Sequence, residues 1–277
     1  MLGVLTLLPF AIGSAQEITL RIRPRAGDTL HTVLEQRVEL AGSAEGEDRD
    51  TTMAVVTTMR VLARTIVLSS DTGATTVLSI TDSVTMTTTA SDSASLGAQA
   101  REMLQGKRVR LRVAPDGSAR TLSETGGGGI RAGPFIERMP ATLPAEPVPV
   151  GGTWQRAMEV PLAGQPGGAS VGGAGISTLR ATFRLDSLSQ GGRLAYISMR
   201  GDVARSDTLT RAPDEFRLSM RGVITGDMIV DRRRGWLTFS QTHMTVQSRL
   251  VPPETSGGAP MLFEMRMTQR MRTMDKR

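Results

Sequence analysis

The residues able to carry chemistry are few. The chain has two histidines, His31 and His243, and no cysteine. A zinc centre needs three or four ligands held close together, and neither histidine has a spaced partner. Without thiols, disulfides, thiol catalysis and Cys-ligated zinc are all excluded. Asp227 and Asp231 sit on one hairpin, where two carboxylates could serve calcium or acid–base chemistry. No further acidic cluster surrounds them, so turn capping and solvation are expected. Two glycine-rich stretches, Gly126 to Gly129 and Gly172 to Gly175, lack the Gly-Lys-Ser/Thr ending of a phosphate loop and read as loops. Neither a cofactor nor a metal is expected. Serine and aspartate abound, so counting alone does not exclude a Ser-His-Asp triad, and a hydrolase is the third-ranked reading.

Methionine offers more. The chain has 16 methionines against six phenylalanines and one tyrosine. A flexible, polarisable thioether suits adaptable apolar surfaces. Met261, Phe263, Met265, Met267 and Met271 share one face of the last strand, with Glu264, Arg266, Thr268, Arg270 and Arg272 on the other. Met220, Met228 and Met244 fall nearby in sequence. Such a face fills a core or lines the wall of a cavity for an apolar, lipid-like ligand. The candidate ligand-binding residues are Met220, Met228, Met261, Phe263, Met265 and Met267. The net charge is +6, and the basic residues are nearly all arginine. Arg108, Arg110 and Arg112 alternate along one strand and Arg232 to Arg234 fill a turn, so an anionic envelope surface is a possible partner. Nucleic acid is disfavoured, because aromatics for base stacking are scarce.

The elements positioning these residues are strands. From Met220 to Leu250 the chain reads as two arms with period-two alternation. Ile224, Met228 and Val230 share one face, and Asp231 to Gly235 makes the turn. Met244, Val246 and Leu250 continue on shifted parity, so a β-bulge is expected near Gln241 to His243. Lys107 to Ser123 reads as a shorter copy, with Val109, Leu111 and Val113 inward and a turn at Pro115-Asp116-Gly117. Other parts recur in the same order, which suggests a degenerate duplication. Ile18, Leu20 and Ile22 begin a first strand. Ser93 to Gln105 is the one convincing helix, with Leu96, Ala100, Met103 and Leu104 on one stripe. Residues 125–150 carry five prolines and read as a connection, in which Phe135, Ile136 and Met139 form one helical turn.

The domain reading is a signal peptide at 1–15, a first β half at 16–124, the connection at 125–150 and a second β half at 151–277. Met1 to Ala15 is a short apolar run ending in small residues, too short to span a bilayer comfortably. Nothing later is long and apolar enough for a membrane span. The mature protein is expected to be soluble and either periplasmic or secreted.

The GDT at Gly27, the stretch MPATLPAEPVPVGGTW from Met139 to Trp154 and the GDMIVD at Gly226 resemble those of exported bacterial families of unknown function. The resemblance covers most of the mature chain, and its motifs are structural. A looser likeness, in architecture alone, is to periplasmic lipoprotein carriers, which curl an antiparallel sheet around a helix.

The expected fold is therefore mostly β: antiparallel curved sheets or a half-barrel from two related halves, with one helix on the concave side. The leading functional expectation is a non-enzymatic exported protein that binds an apolar or lipid-like ligand on its concave face. The alternative is an envelope interaction or scaffold module with a packed core and no small ligand.

Overall fold

Alternating apolar and polar residues make long strands, and the long strands make one sheet. The computed structural model describes residues 16–45, 53–91, 93–127, 138–139, 142–161, 176–206, 217–252 and 257–274. The proposed signal segment, Met1 to Ala15, lies outside them, as do Phe135 and Ile136. Twelve strands and one helix follow in chain order: β1 (Thr29–Ala44), β2 (Met53–Ser70), β3 (Thr75–Thr88), α1 (Ser93–Leu104), β4 (Arg108–Val113), β5 (Ala119–Thr125), β6 (Arg138–Met139), β7 (Thr153–Pro161), β8 (Ile176–Ser189), β9 (Leu194–Ser206), β10 (Arg217–Asp231), β11 (Trp236–Val251) and β12 (Met261–Met274). The strands form a single antiparallel sheet in the order β6-β5-β4-β3-β2-β1-β12-β11-β10-β9-β8-β7.

This order is circular. The first and last long strands pair in the middle of the sheet, over His31↔Met274 to Ala44↔Met261. The sheet's two free edges are β6 and β7, which are consecutive in sequence. Among the described residues the sheet is thus open and curved, with its two edge strands brought toward each other. At one end the gap between them is bridged from β7: Trp154 Nε1 donates to the Thr142 carbonyl at 2.9 Å and Arg156 Nη2 to the Leu143 carbonyl at 2.5 Å. Residues 142 and 143 in turn donate their backbone N–H groups to the Asp116 carbonyl of the β4–β5 turn.

The curl brings the two sides of the sheet onto one core. Val77, Val113 and Ala119 from β3, β4 and β5 share a cluster with Leu179, Phe183, Ile197, Ile224 and Val230 from β8, β9 and β10. Trp154 stacks on Phe183 with ring centroids 5.7 Å apart and planes 9° apart. Gly201 and Gly222 face inward where neighbouring strands approach closely: a Cβ at either would lie 2.5–2.6 Å from a neighbouring strand's carbonyl oxygen.

Residues 16–28 correct the sequence expectation of a first strand. Ile18, Leu20 and Ile22 do alternate with exposed Thr19, Arg21 and Arg23, but the segment joins no sheet. It makes one isolated bridge, Ile18↔Val148. It then crosses the mouth of the curl, where the Ile22 N–H donates to the Pro115 carbonyl and the Arg23 N–H to the Gly235 carbonyl, each at 2.8 Å. Its three apolar side chains are 1–7% exposed and fill the core. The alternation is real, but it records one face on the core and one in water, and does not require a ladder.

The phase slip in β11 also lies elsewhere than expected. The register shifts where Ile229↔Phe239 gives way to Val230↔Leu237, so Thr238 is the bulged residue. Its hydroxyl donates to the Ile229 carbonyl at 3.1 Å, which anchors the bulge. Met139, expected in a helical turn, belongs to the two-residue β6. The helix matches its expected span to within one residue and packs against β3, with Ala100 buried.

Asp231 ties the closed end together. It is 1% exposed. One carboxylate oxygen accepts from Arg193 Nε at 3.0 Å and Nη2 at 2.6 Å; the other accepts the backbone N–H groups of Arg233 and Arg234, both at 3.0 Å. Burial pushes the carboxyl pKa up, but the Arg193 hydrogen bond and charge, with the two turn N–H groups, pull it further down, so the net effect holds it below the usual carboxylate value. A depressed folded pKa stabilises the fold above the unfolded pKa, and that contribution fades as pH falls through the folded value. Asp231→Asn is expected to cost about 2 kcal/mol at pH 7, with the gap from wild type narrowing below about pH 4. Urea denaturation at pH 7 and pH 3.5 checks this; a gap unchanged with pH would show that the ionised carboxylate is not what matters.

Candidate functional site

The sheet's register turns the methionine face into a surface. Across β1, β12, β11 and β10, inward-facing residues align in rows. Val38, Met267, Met244 and Ile224 form one row, and Leu40, Met265, Val246 and Gly222 the next. Gly42, Phe263, Ser248 and Met220 follow, and Ala44, Met261, Leu250 and Leu218 come last. Below the first of these, Gln36, Gln269, Thr242 and Gly226 make a polar row. This belt separates the apolar rows from Leu34, Met271, Ser240 and Met228 beneath it. From the belt, Gln36 Nε2 reaches Met267 Sδ of the adjoining row at 3.1 Å.

The six residues singled out from the sequence do not share one fate. Met228 is 6% exposed and belongs to the packed core at the closed end. Met220 is 8% exposed, at the edge of the apolar rows. Phe263, Met265 and Met267 are only half-buried, and Met261 is 42% exposed. The apolar face of β12 thus stays open where the corresponding faces of β8 and β9 are closed.

Shape follows from small residues among large ones. A cleft of about 640 Å³ at the rim has Gly42, Met220, Ser248 and Phe263 among its walls, together with charged Arg221, Arg249 and Glu264 from the other face of the strands; its size is within the usual range of small-molecule sites, about 300–1,000 Å³. The Phe263 ring lies over Gly42: a Cβ there would sit 2.8–2.9 Å from two ring carbons. The missing side chain lets the ring lean toward β1 and away from Ser248 and Met220. Val38, Leu40, Gly42 and Ser248 escaped the sequence reading as site residues. The parity of β1 was legible, but its pairing with a strand more than 200 residues later was not.

The candidate catalytic groups do not converge. His243 is exposed; its ring nitrogens meet Gln241 Nε2 at 2.8 Å and Thr268 Oγ1 at 3.2 Å. His31 lies on β1, half-buried. No group of three or more His, Asp or Glu with metal-binding geometry occurs among the described residues. Asp231 is a turn cap and ion-pair partner, and Asp227 is exposed on the other face of β10. Gly-x-Ser-x-Gly spacing does occur once, at Gly168-Ala169-Ser170-Val171-Gly172. It falls in the segment 162–175, outside the described residues, between β7 and β8. These pair antiparallel, whereas a nucleophile elbow needs a strand-to-helix turn on an α/β sheet.

Charge is segregated by face. The concave rows are apolar, while the other face of β1 and β12 carries Glu35, Arg37, Glu39, Glu264, Arg266, Arg270 and Arg272. Among the described residues no helix is long and apolar enough to cross a membrane.

No family model and no curated protein matches the chain. Among solved structures, the outer membrane protein OprG from Pseudomonas aeruginosa aligns at 7% identity and TM-score 0.22, covering 92% of this chain and 99% of that one. The COG4313 outer membrane channel from Pseudomonas putida F1 aligns at 10% identity and TM-score 0.21, covering 96% and 100%. Superpositions of this quality support no inference about fold or function.

Proposed function

We propose that the protein is a non-enzymatic carrier that holds an apolar, lipid-like ligand in the trough formed by β1, β12, β11 and β10. One observation carries this reading: a continuous apolar face, Val38 to Ala44 beside Met261 to Met267, is left half-accessible inside a curled sheet whose other end is filled by buried side chains. Leaving large apolar side chains in water forgoes roughly 1.5–3 kcal/mol each. A ligand recovers part of that. Methionine walls adapt to a flexible chain without demanding one shape, and the row of Gln36, Gln269 and Thr242 offers a polar group a place to meet hydrogen-bonding side chains. On this reading the protein works outside the cytoplasm, periplasmic or secreted, where the amino-terminal signal reading sends it.

Gly42→Val tests the trough. The new side chain must displace the Phe263 ring toward Ser248 and Met220, which fills the cleft. Titration with a fluorescent fatty acid analogue is expected to saturate with the wild type and to weaken at least about tenfold in the variant, a loss of about 1.4 kcal/mol. Non-saturable wild-type binding would remove the carrier reading. The scaffold reading would then stand, since the filled core around Met228 already shows part of this face working as structure.

A further inference from the structure

The convex face has one region where arginines gather without carboxylates beside them. Elsewhere they are paired within the sheet or share the face with acids: Arg37 with Glu39 at 2.8 Å, Arg60 with Glu35 at 3.5 Å, Arg64 with Asp82 at 3.2 Å, Arg249 with Glu45 at 2.7 Å and Arg266 with Glu264 at 2.6 Å, while Arg180, Arg200 and Arg221 on β8 to β10 lie on the same face as Asp202 and Asp227. Arg270 lies over the Phe239 ring, 5.5 Å from its centroid. On β4 and β5 the pattern stops. Arg108, Arg110 and Arg112 point outward at every second residue, and Arg120 is the cross-strand partner of Arg112. All four are exposed, and none makes an ion pair among the described residues. Of two carboxylates near these strands, one is engaged elsewhere and the other offsets Arg112 only in part, without an ion pair. Glu124 pairs with Lys107 at 3.1 Å, both largely buried. Asp71 accepts the backbone N–H groups of Gly73 and Ala74 at 2.8 and 2.7 Å.

Apolar side chains lie among these cations. The register places Ile66 and Leu78 in the row of Arg110, and Ile80 in the row of Arg108. Leu68 and Leu122 are the bulged residues of β2 and β5, at 44% and 45% exposure. With about 3.3 Å per residue and about 4.8 Å between strands, the guanidinium line from Arg108 to Arg112 spans about 13 Å and the face from β2 to β5 about 14 Å. Four clustered cations that make no ion pair would meet any polyanion. Exposed leucines at the same face favour a surface with an apolar layer beneath its charge, where arginine stems cover hydrocarbon and their heads stay with the phosphates.

We infer that the convex face of β2 to β5 docks on an anionic lipid bilayer, with Arg108, Arg110, Arg112 and Arg120 against the headgroups and Leu68 and Leu122 at the interface. The inference is independent of the trough, which lies on the opposite face of the sheet.

Co-sedimentation of the whole chain with phosphatidylglycerol–phosphatidylcholine vesicles tests it. Each basic residue near an anionic surface is worth roughly fivefold in partitioning. Arg110→Gln with Arg112→Gln is therefore expected to lower vesicle binding by roughly 25-fold, while Arg266→Gln, on β12 and paired with Glu264, leaves it within about twofold. Binding should fall steeply with salt and be absent on pure phosphatidylcholine. Leu122→Ser should weaken vesicle binding but leave binding to soluble polyphosphate unchanged. Three results would each overturn the proposal: equal binding by the double variant, equal binding to neutral vesicles, or a Leu122→Ser variant that binds vesicles as well as the wild type, which would mark the patch as a polyanion site. All these positions are exposed, and matching circular dichroism spectra confirm that the variants fold.

Discussion

Leu20→Ala is expected to destabilise the protein by about 3 kcal/mol, within the usual 2–5 kcal/mol for emptying a buried leucine site. The residue lies in a segment without secondary structure, so by local criteria it should matter little. Its burial says otherwise: it is 1% exposed, between Ile18 and Ile22, in a cluster that draws on both sides of the sheet. The segment is also fastened by backbone, through Arg23 to the β10–β11 turn and Ile22 to the β4–β5 turn. Gly235 makes that fastening possible. Its φ is +61°, and a Cβ would lie 2.3 Å from the Arg23 carbonyl oxygen, so no other residue fits the turn and the contact together. The exposed neighbours supply the control: Thr19→Ala and Arg21→Ala should each change stability by less than about 0.5 kcal/mol. Urea denaturation of the three variants decides it. If Leu20→Ala costs no more than Arg21→Ala, the segment is a tether and not part of the cooperative core.

Strands and faces were legible in the sequence; partners were not. Period-two alternation located the β4–β5 and β10–β11 hairpins and β12, and assigned Val109, Leu111 and Val113 inward against Arg108, Arg110 and Arg112 outward, as observed. The β10–β11 turn was marked by its charges and Gly235. Hairpin pairing followed from proximity along the chain. Two things lay beyond such reasoning. Pairing of β1 with β12 decides that one sheet forms, and it leaves no local mark, because any strand with an apolar face could have taken that place. The bulge at Thr238 has no glycine or proline to announce it, so the phase slip was visible while its position was not. The site was partly legible for the same reason. Parity identified the apolar face of β12, but which part of that face is packed depends on where the curl tightens and where residues 16–28 enter, both long-range facts.

That distinction between packed and open methionine is testable within one residue type. Met228 and Met265 both point into the curl, one on each side of the polar row of Gln36, Gln269 and Thr242. Met228 is 6% exposed among Ile197, Ile224 and Val230. Its replacement by alanine leaves a void in close-packed surroundings and should cost about 3 kcal/mol, within the 2–5 kcal/mol typical of Met→Ala in cores. Met265 is half-buried on the open side. Met265→Ala removes contacts that solvent already partly replaces, so it should cost less than about 1 kcal/mol. The effects on ligand should run the other way. If the trough holds an acyl chain, Met265→Ala widens its wall and changes the affinity for a fluorescent fatty acid analogue by several-fold, while Met228→Ala, under conditions where it remains folded, leaves that affinity near the wild-type value. Chemical denaturation and probe titration of both variants give four numbers. A Met265→Ala variant destabilised as much as Met228→Ala, with no saturable probe binding by the wild type, would show that the whole concave face is core and would leave the scaffold reading alone.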